Sequence, residues 1–340
     1  MASDKATLIT GGAGYIGSHA VLALRQAGRR VIVLDDLSTG NRSVIPADVP
    51  FIEGNAGDRE LLRTLFRDFD VDSVIHFAGS ILVERSVSEP LSYYQNNVAV
   101  SRNLMEACVE EGVDQFIFSS TAAVYGAAAA SPIPETTETK PINPYGTSKL
   151  VTEWMLRDTA AASNLRFVAL RYFNVAGADP QGRSGQLGPV ATHLVKIASQ
   201  VVAGSRKSIA IFGDDYDTPD GTCVRDYIHV SDLAAAHLSA LNYLESGGGS
   251  LMLNCGYGHG YSVQEVLQAV ERCAGRPLNP ERAPRRPGDP PSLVADTRAL
   301  RQTLSWSPRF DNIDVIINTA IDWERSLATP PGSDALRARA

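Results

Sequence analysis

Only four of the 340 residues are cysteine, at positions 108, 223, 255 and 273, and no two of them form a C-x-x-C pair. That spacing argues against a disulfide frame or a zinc site and fits reduced thiols in a cytosolic chain. The six histidines are scattered and include no H-E-x-x-H, so the sequence carries no metal signal. No apolar run reaches the roughly 18 residues that a membrane-spanning helix needs. The opening Met-Ala-Ser-Asp-Lys runs straight into Ala6-Thr7-Leu8-Ile9, without the charged stretch, apolar leader and cleavage site of a signal peptide. The cytoplasm is therefore the expected compartment. Basic residues are also in the minority: 31 Lys and Arg against 38 Asp and Glu leave a net charge of -7 and a pI near 5.4. That balance argues against a general binder of nucleic acid or anionic membranes.

What is present is ordinary for a soluble globular protein, with 44% hydrophobic and 20% charged residues. The chain is long enough to bury a large core and to divide into two lobes. Its first third alternates strand and helix. Residues 6–10 read as a short buried strand, followed at once by glycines at 11, 12, 14 and 17. A helix over 19–27 stops at Gly28, and a second strand over 31–34 ends in Asp35-Asp36. Strand, glycine loop, helix, strand and acid in that order form a dinucleotide-binding fingerprint, here with Gly11, Gly14 and Gly17 in a G-x-x-G-x-x-G spacing. The glycines let a pyrophosphate approach the backbone, and the helix N-terminus supplies free N–H groups and partial positive charge. Asp35, or Asp36 beside it, is placed to accept ribose hydroxyls and to repel a 2′-phosphate, which favours NAD over NADP.

The alternation continues with strands over 51–54, 73–77 and 115–119, and with helices over 59–69 and 97–111. The expected fold class is α/β, a doubly wound parallel sheet with a smaller α/β lobe. In such sheets ligands bind beyond the carboxyl ends of the strands, which points to Phe77-Ala78-Gly79 and to 119–121. After the strand over 163–170 and Arg171-Tyr172-Phe173-Asn174, the regular alternation weakens. Residues 182–188 and 214–221 read as loops, 223–230 as a short strand, and Ser231-Asp232 as the start of a helix over 233–244. The proline-rich 283–291 segment is extended. The tail from Thr329 lacks apolar periodicity and is expected to be mobile.

The chemistry centres on Asn143-Pro144-Tyr145-Gly146-Thr147-Ser148-Lys149. Pro144 suits the start of a helix, and Leu150, Val151, Trp154 and Met155 recur at helical spacing. Residues four apart share a face, so the Lys149 ammonium is expected beside the Tyr145 phenol, where it favours the phenolate. With 11 Tyr and five Lys in the chain, chance alone supplies about 0.16 such pairs, against the one found.

Together with Gly11 to Gly17, Asn96-Asn97-Val98, the 119–126 run, Arg171 to Asn174, the 220–230 segment and 283–289, this stretch resembles the UDP-glucose 4-epimerase family of the extended short-chain dehydrogenase/reductase superfamily. The resemblance runs to about residue 325. The glycine loop and the Tyr-x-x-x-Lys pair are shared across the superfamily, whereas the 220–230 segment is more characteristic of epimerases. It implies an isomerase that oxidises and re-reduces a nucleotide sugar, with Tyr145 as base then acid, Lys149 lowering its pKa, and Thr121 bonding the sugar hydroxyl. By match, Gly11, Gly14, Tyr15, Ile16, Gly17, Asp35, Asp36, Leu37, Ser38, Thr39, Gly40, Asn55, Ala56, Phe77, Ala78, Gly79, Ile81, Asn96, Ser119 and Phe173 would line the NAD site. Asn174, His193, Ala210, Ile211, Phe212, Arg225, Arg286 and Asp289 would hold the UDP half, with Leu293 as gate to the sugar pocket. Arg guanidinium groups suit a diphosphate and Asp289 suits ribose hydroxyls, although Arg225 paired with Asp226 is the plainer reading.

Asn55 and Ile81 depart from an aspartate and a lysine found in some relatives. Leu293 is intermediate in size, which leaves N-acetylated and pentose UDP-sugars open. A 4,6-dehydratase is disfavoured because Ala122-Ala123 follow Thr121 where an acidic pair is needed, and a non-catalytic NAD sensor has no use for Tyr145, Lys149 and Thr121 together. The resemblance further implies a homodimer through helices near 95–111 and 149–162. The expected division assigns 1–175, with 227–245 returning, to the NAD lobe, and 176–226 with 246–328 to the UDP-sugar lobe, leaving 329–340 as the tail.

Overall fold

Five buried residues, Ala6–Thr10, form the strand β1. Its uniform burial marks a strand covered on both faces, as parallel sheets require. The computed structural model describes residues 5–128, 131–188, 192–286 and 288–328. The leading Met-Ala-Ser-Asp, Pro287 of the extended segment, and the tail from Thr329 lie outside these.

From β1 the chain runs through α1 (Tyr15–Gln26), β2 (Arg30–Asp35), β3 (Phe51–Glu53), α2 (Arg59–Asp68) and β4 (Val71–His76). The short helices α3 (Val83–Ser88) and α4 (Pro90–Tyr93) lead into a π-helical turn, Tyr94–Ala99, and then α5 (Val100–Glu111). Next come β5 (Gln115–Thr121), a 3-10 turn over Ala122–Tyr125, α6 (Pro144–Ala162), β6 (Arg166–Tyr172) and β7 (Asn174–Ala176). The remainder is α7 (Leu194–Ala203), β8 (Ala210–Phe212), β9 (Val224–Arg225), β10 (Tyr227–His229), α8 (Val230–Glu245), β11 (Leu251–Cys255), β12 (Tyr261–Ser262), α9 (Val263–Ala274), β13 (Glu281–Ala283), β14 (Ser292–Leu293), α10 (Arg298–Leu304) and α11 (Ile313–Ala328).

Seven strands form one parallel sheet in the order β11-β6-β5-β4-β1-β2-β3, the doubly wound arrangement with one strand added beyond β6. Successive residues of each strand feed opposite faces. On β1, β2, β4 and β5, Ile9, Val33, Ile75 and Ile117 enter one core, which also contains Val21 of α1 and Leu241 of α8. Leu8, Ile32, Val74 and Phe116 enter the other, with Leu62 of α2, Leu104 of α5 and Leu156 of α6. The smaller sheets are β10-β7, β12-β9-β14 and β13-β8.

Several elements differ from the sequence reading. Helix α1 begins at Tyr15 rather than His19, because the first N–H groups of a helix need no internal partner and the glycine motif itself winds into the first turn. The helix expected from Asn97 opens instead as the π-helical turn, where the Asn97 carbonyl accepts from both Ser101 Oγ and Thr152 Oγ1. The 223–230 strand is broken at Asp226, whose buried carboxylate accepts N–H groups from Tyr257, Gly258 and Ala295. Helix α8 is capped by His229, whose Nδ1 accepts the Ser231 N–H, rather than by Ser231 or Asp232. Residues 251–255, placed by the sequence reading in the second lobe, pair with β6 along the whole of β11 and form an edge of the large sheet. A five-residue apolar strand carries no local sign of its partner, so only tertiary pairing assigns it.

Candidate functional site

The carboxyl ends of β1 and β4 meet where the order of the sheet reverses. Gly11 has a φ of +70, and a Cβ on it would lie 2.5 Å from the Ala78 nitrogen, so only glycine permits this approach. Gly14 caps α1 with its backbone extended and without a side-chain hydrogen bond, which leaves the first-turn N–H groups of Tyr15, Ile16 and Gly17 for an anion. Asp35, buried at the end of β2, accepts the Ala13 N–H and the Leu37 N–H, each at 2.9 Å. Burial raises its pKa against those two bonds. Asp36 is exposed and takes the Ser38 N–H and hydroxyl, so Asp35 is the inward carboxylate. Ser38 and Thr39 are exposed beyond it, with Leu37 and Gly40 partly buried.

Across the cleft, Asn55 Oδ1 accepts the Gly57 N–H, and Ala56 is buried. Phe77 lies against the His237 ring at 4.7 Å. Ile81 is 54% exposed, and Asn96, also exposed, reaches Ser80 Oγ at 3.2 Å. These residues make a backbone-lined cradle ending in a buried carboxylate, and they fit a dinucleotide.

Helix α6 brings the chemistry to the cradle. Asn143 caps it by accepting the Gly146 N–H at 2.8 Å, with Pro144 at the first position. A Cβ on Gly146 would lie 2.6 Å from the Ala123 carbonyl oxygen, so glycine here lets the first turn of the helix rest on the 122–125 turn. Tyr145 is thereby brought beside Thr121, whose Oγ1 accepts the Ala123 N–H. Lys149 is buried, donates to the Ser119 carbonyl at 3.1 Å, and sits 4.9 Å from the Phe118 ring centroid.

The electrostatics differ from the expectation. Burial pushes the Tyr145 phenol above its ordinary range, Tyr172 adds to that, and the Thr121 hydrogen bond opposes it. Burial also lowers Lys149 to about 8. Lys149 donates to the end of β5 and is not among the groups that shift the phenol here.

The second lobe holds the residues expected to take the UDP half. Arg225 pairs with Asp289 and donates to the Pro290 carbonyl at 2.9 Å, so its partner is not Asp226. The Arg286 guanidinium stacks 4.1 Å from the ring centroid of Phe212, which is 39% exposed, while Ala210 and Ile211 pair with β13. Asn174 opens β7 and donates its N–H to the Asp226 carbonyl. Leu293 pairs in register with Arg225 and packs on a cluster containing Ala122, Tyr125 and Phe173 beside Thr121. His193 lines a narrow cleft together with Tyr15, Gly177, Gln186, Lys196 and Trp323.

Three groups at the site escaped the sequence reading. Asn97, neighbour of the expected Asn96, is buried; its Oδ1 accepts the Ser80 N–H and its Nδ2 donates to Ser80 O and Ser148 Oγ. Glu153 and Arg171 form a buried bidentate pair beneath Thr121. Gln186 Nε2 bonds His193 Nδ1 at 3.0 Å. Glu153 lies one turn beyond Lys149 on the same face, a spacing that marked it as inward-facing.

Residues 7–256 match the NAD dependent epimerase/dehydratase family. The chain is similar to UDP-glucose 4-epimerase of Azospirillum brasilense, 57% identical over 342 aligned positions that cover 99% of this chain and 98% of the relative. Among solved structures it resembles UDP-glucose 4-epimerase from Brucella ovis in complex with NAD, with a TM-score of 0.92 and 42% identity over 94% of this chain and 98% of that one. It also resembles the UDP-Glc/GlcNAc 4-epimerase of Campylobacter jejuni, with a TM-score of 0.83 and 44% identity over 95% and 99%.

Proposed function

The chain belongs to the NAD dependent epimerase/dehydratase family, and on that premise we propose that it interconverts UDP-glucose and UDP-galactose with Tyr145 as acid and base. A bound NAD, which the 11–17 glycine loop and Asp35 would hold, would supply the acceptor and donor of the C4 hydride. Tyr145 removes the proton of the 4-hydroxyl as the 4-keto sugar forms and gives it back as the hydroxyl re-forms. Thr121, beside Tyr145, orients the same hydroxyl. The Lys149 ammonium, together with the positive nicotinamide, offsets the burial that disfavours the phenolate. Asp35 accepts the ribose hydroxyls of the adenosine half, and the N-terminus of α1 holds the pyrophosphate. In the second lobe Arg225 and Arg286 face the UDP phosphates, Asp289 the uridine ribose, and Leu293 bounds the sugar pocket.

The observation that carries this reading is a buried Tyr145 set beside Thr121 by the first turn of α6, one helical turn from a buried lysine that donates to the end of β5. Dehydration would need an acidic pair after Thr121; the chain has Ala122-Ala123 there, with the Ala123 N–H turned onto Thr121. We assign the 1–175 lobe to NAD, joined by α8 and β11, and the remaining strands and α7, α9 and α11 to UDP-sugar. We also place the protein in the cytoplasm, in keeping with its four free cysteines, and as a homodimer through α5 and α6.

The test adds UDP-galactose to the purified protein without supplied NAD and measures UDP-glucose, with UDP-GlcNAc as a parallel substrate for the Leu293 gate. Tyr145→Phe is expected to lose about 10²- to 10⁴-fold in turnover while retaining NAD. A protein with NAD bound that interconverts neither sugar would overturn the reading.

A further inference from the structure

His193 sits at the N-cap of α7 but makes no capping hydrogen bond to that helix. The contrast lies within the same molecule: His229, at the N-cap of α8, turns its Nδ1 onto the Ser231 N–H at 3.0 Å. In His193 that atom is already taken by Gln186 Nε2, at 3.0 Å. Gln186 is itself held from two helices. Its carbonyl accepts Lys196 Nζ of α7 at 2.5 Å and Trp323 Nε1 of α11 at 3.3 Å, and Lys196 is further anchored by a buried ion pair with Glu324.

An amide NH₂ can only donate, so the Nδ1 facing it must be the acceptor and the imidazole proton must sit on Nε2. We propose that Gln186 is a positioning residue: it fixes His193 as the Nε2–H tautomer and presents that N–H as a neutral donor to an oxygen of the substrate's nucleotide half. This rests on the UDP-sugar reading above, which already places His193 at the UDP half, and deepens it by assigning the charge state of that group and the residue that sets it.

The surroundings suit a neutral ring. Burial lowers the His193 pKa. The charged groups lining the cleft, Lys196 and Glu324, neutralise each other. Tyr15, from α1, donates its hydroxyl to the Gly177 carbonyl at 2.6 Å, and burial raises its pKa. The proposal is therefore separable from simple packing. Replacing the donor by an acceptor should reverse the tautomer and favour a charged ring, at nearly unchanged volume.

The experiment measures binding of UDP to the NAD-containing protein by calorimetry between pH 6 and 8, for the wild type, Gln186→Glu, and Gln186→Glu combined with His193→Gln. The wild type is expected to change its Kd by less than about 2-fold across the range. Gln186→Glu should weaken about 10-fold between pH 6 and pH 8, as the raised imidazole pKa is crossed and Nε2 turns acceptor. The double variant should be flat again. Bound NAD and the melting temperature serve as controls for folding. A Gln186→Glu profile as flat as the wild type, or a double variant that keeps the pH dependence, would overturn the proposal. UDP binding is read without turnover, so failure of the tautomer assignment is distinguishable from absence of epimerase activity.

Discussion

Glu153 has no exposure to solvent, yet it accepts Arg171 through both carboxylate oxygens and Ser120 Oγ at 2.6 Å through one of them. Arg171 also donates to the Tyr125 hydroxyl, which in turn donates to Asn254 Oδ1. This network ties α6, two turns beyond Tyr145, to Ser120, the residue before Thr121. Its members are fully paired, the condition under which buried charge rigidifies a site rather than destabilising it. Ser120→Ala removes one bond and leaves the ion pair. It is expected to lower kcat several-fold through looser Tyr145–Thr121 geometry, with a stability loss of about 1 kcal/mol. Steady-state kinetics beside a urea melt check this, and an unchanged kcat would show that the network serves stability alone. The positions of Tyr145 and Lys149 at the start of one helix were legible in the sequence because both are set by spacing within that helix, whereas the role of Thr121 was named only through the family resemblance. Glu153–Arg171 and Gln186–His193 were not legible, because each role depends on a partner brought in by a separate element, and nothing local names that partner.

At the scale of elements, six of the seven strands of the large sheet, all but β11, were legible because apolar runs bounded by glycine or acid have few other uses. Of the short strands of the second lobe only the 223–230 run was read, and not its pairing. β9, β12 and β14 are two residues each, and their pairing is set wholly by long-range contacts. The helices of the first lobe show one feature that the monomer does not use. Trp154 on α6 is 46% exposed and Val109 on α5 is 43% exposed, while Leu104 and Met105 of α5 and Leu150 and Leu156 of α6 are buried. Large apolar groups left in solvent on neighbouring helices favour an isologous interface. Trp154→Lys is therefore expected to halve the mass measured by light scattering and leave the helical circular dichroism unchanged. A wild-type protein that is already monomeric would refute the interface.

Across the whole molecule, four histidines are buried with their pKa values lowered by desolvation: His19 and His237 to about 4, His76 and His229 to about 3. His76 illustrates the cause, with Nδ1 bonded to Thr10 Oγ1 and Nε2 to Ser101 Oγ in the core between the lobe's first strands. Below the ordinary histidine pKa of about 6.5 the unfolded chain binds protons that the folded chain does not, so stability rises with pH across this window and falls on acidification. The contribution is complete above about pH 6.5 and is lost progressively toward about pH 4, at roughly 1.4 kcal/mol per pH unit for each histidine. Melting temperatures between pH 7 and pH 4.5 are expected to drop steeply. His237→Gln, which removes one of the four, should flatten the slope, and a melting temperature independent of pH in that interval would refute the assignment.

Strand β11 has a consequence for how the chain is made. It pairs with β6 only after residues 176–226 of the second lobe and the returning helix α8 have been synthesised. A ribosome-bound chain that has reached α7 therefore carries a nearly finished sheet whose β6 margin has open N–H and C=O groups and no neighbour. Such a margin is a template for strands from other chains. The demand for chaperone protection during synthesis should accordingly persist until residue 255 has left the exit tunnel.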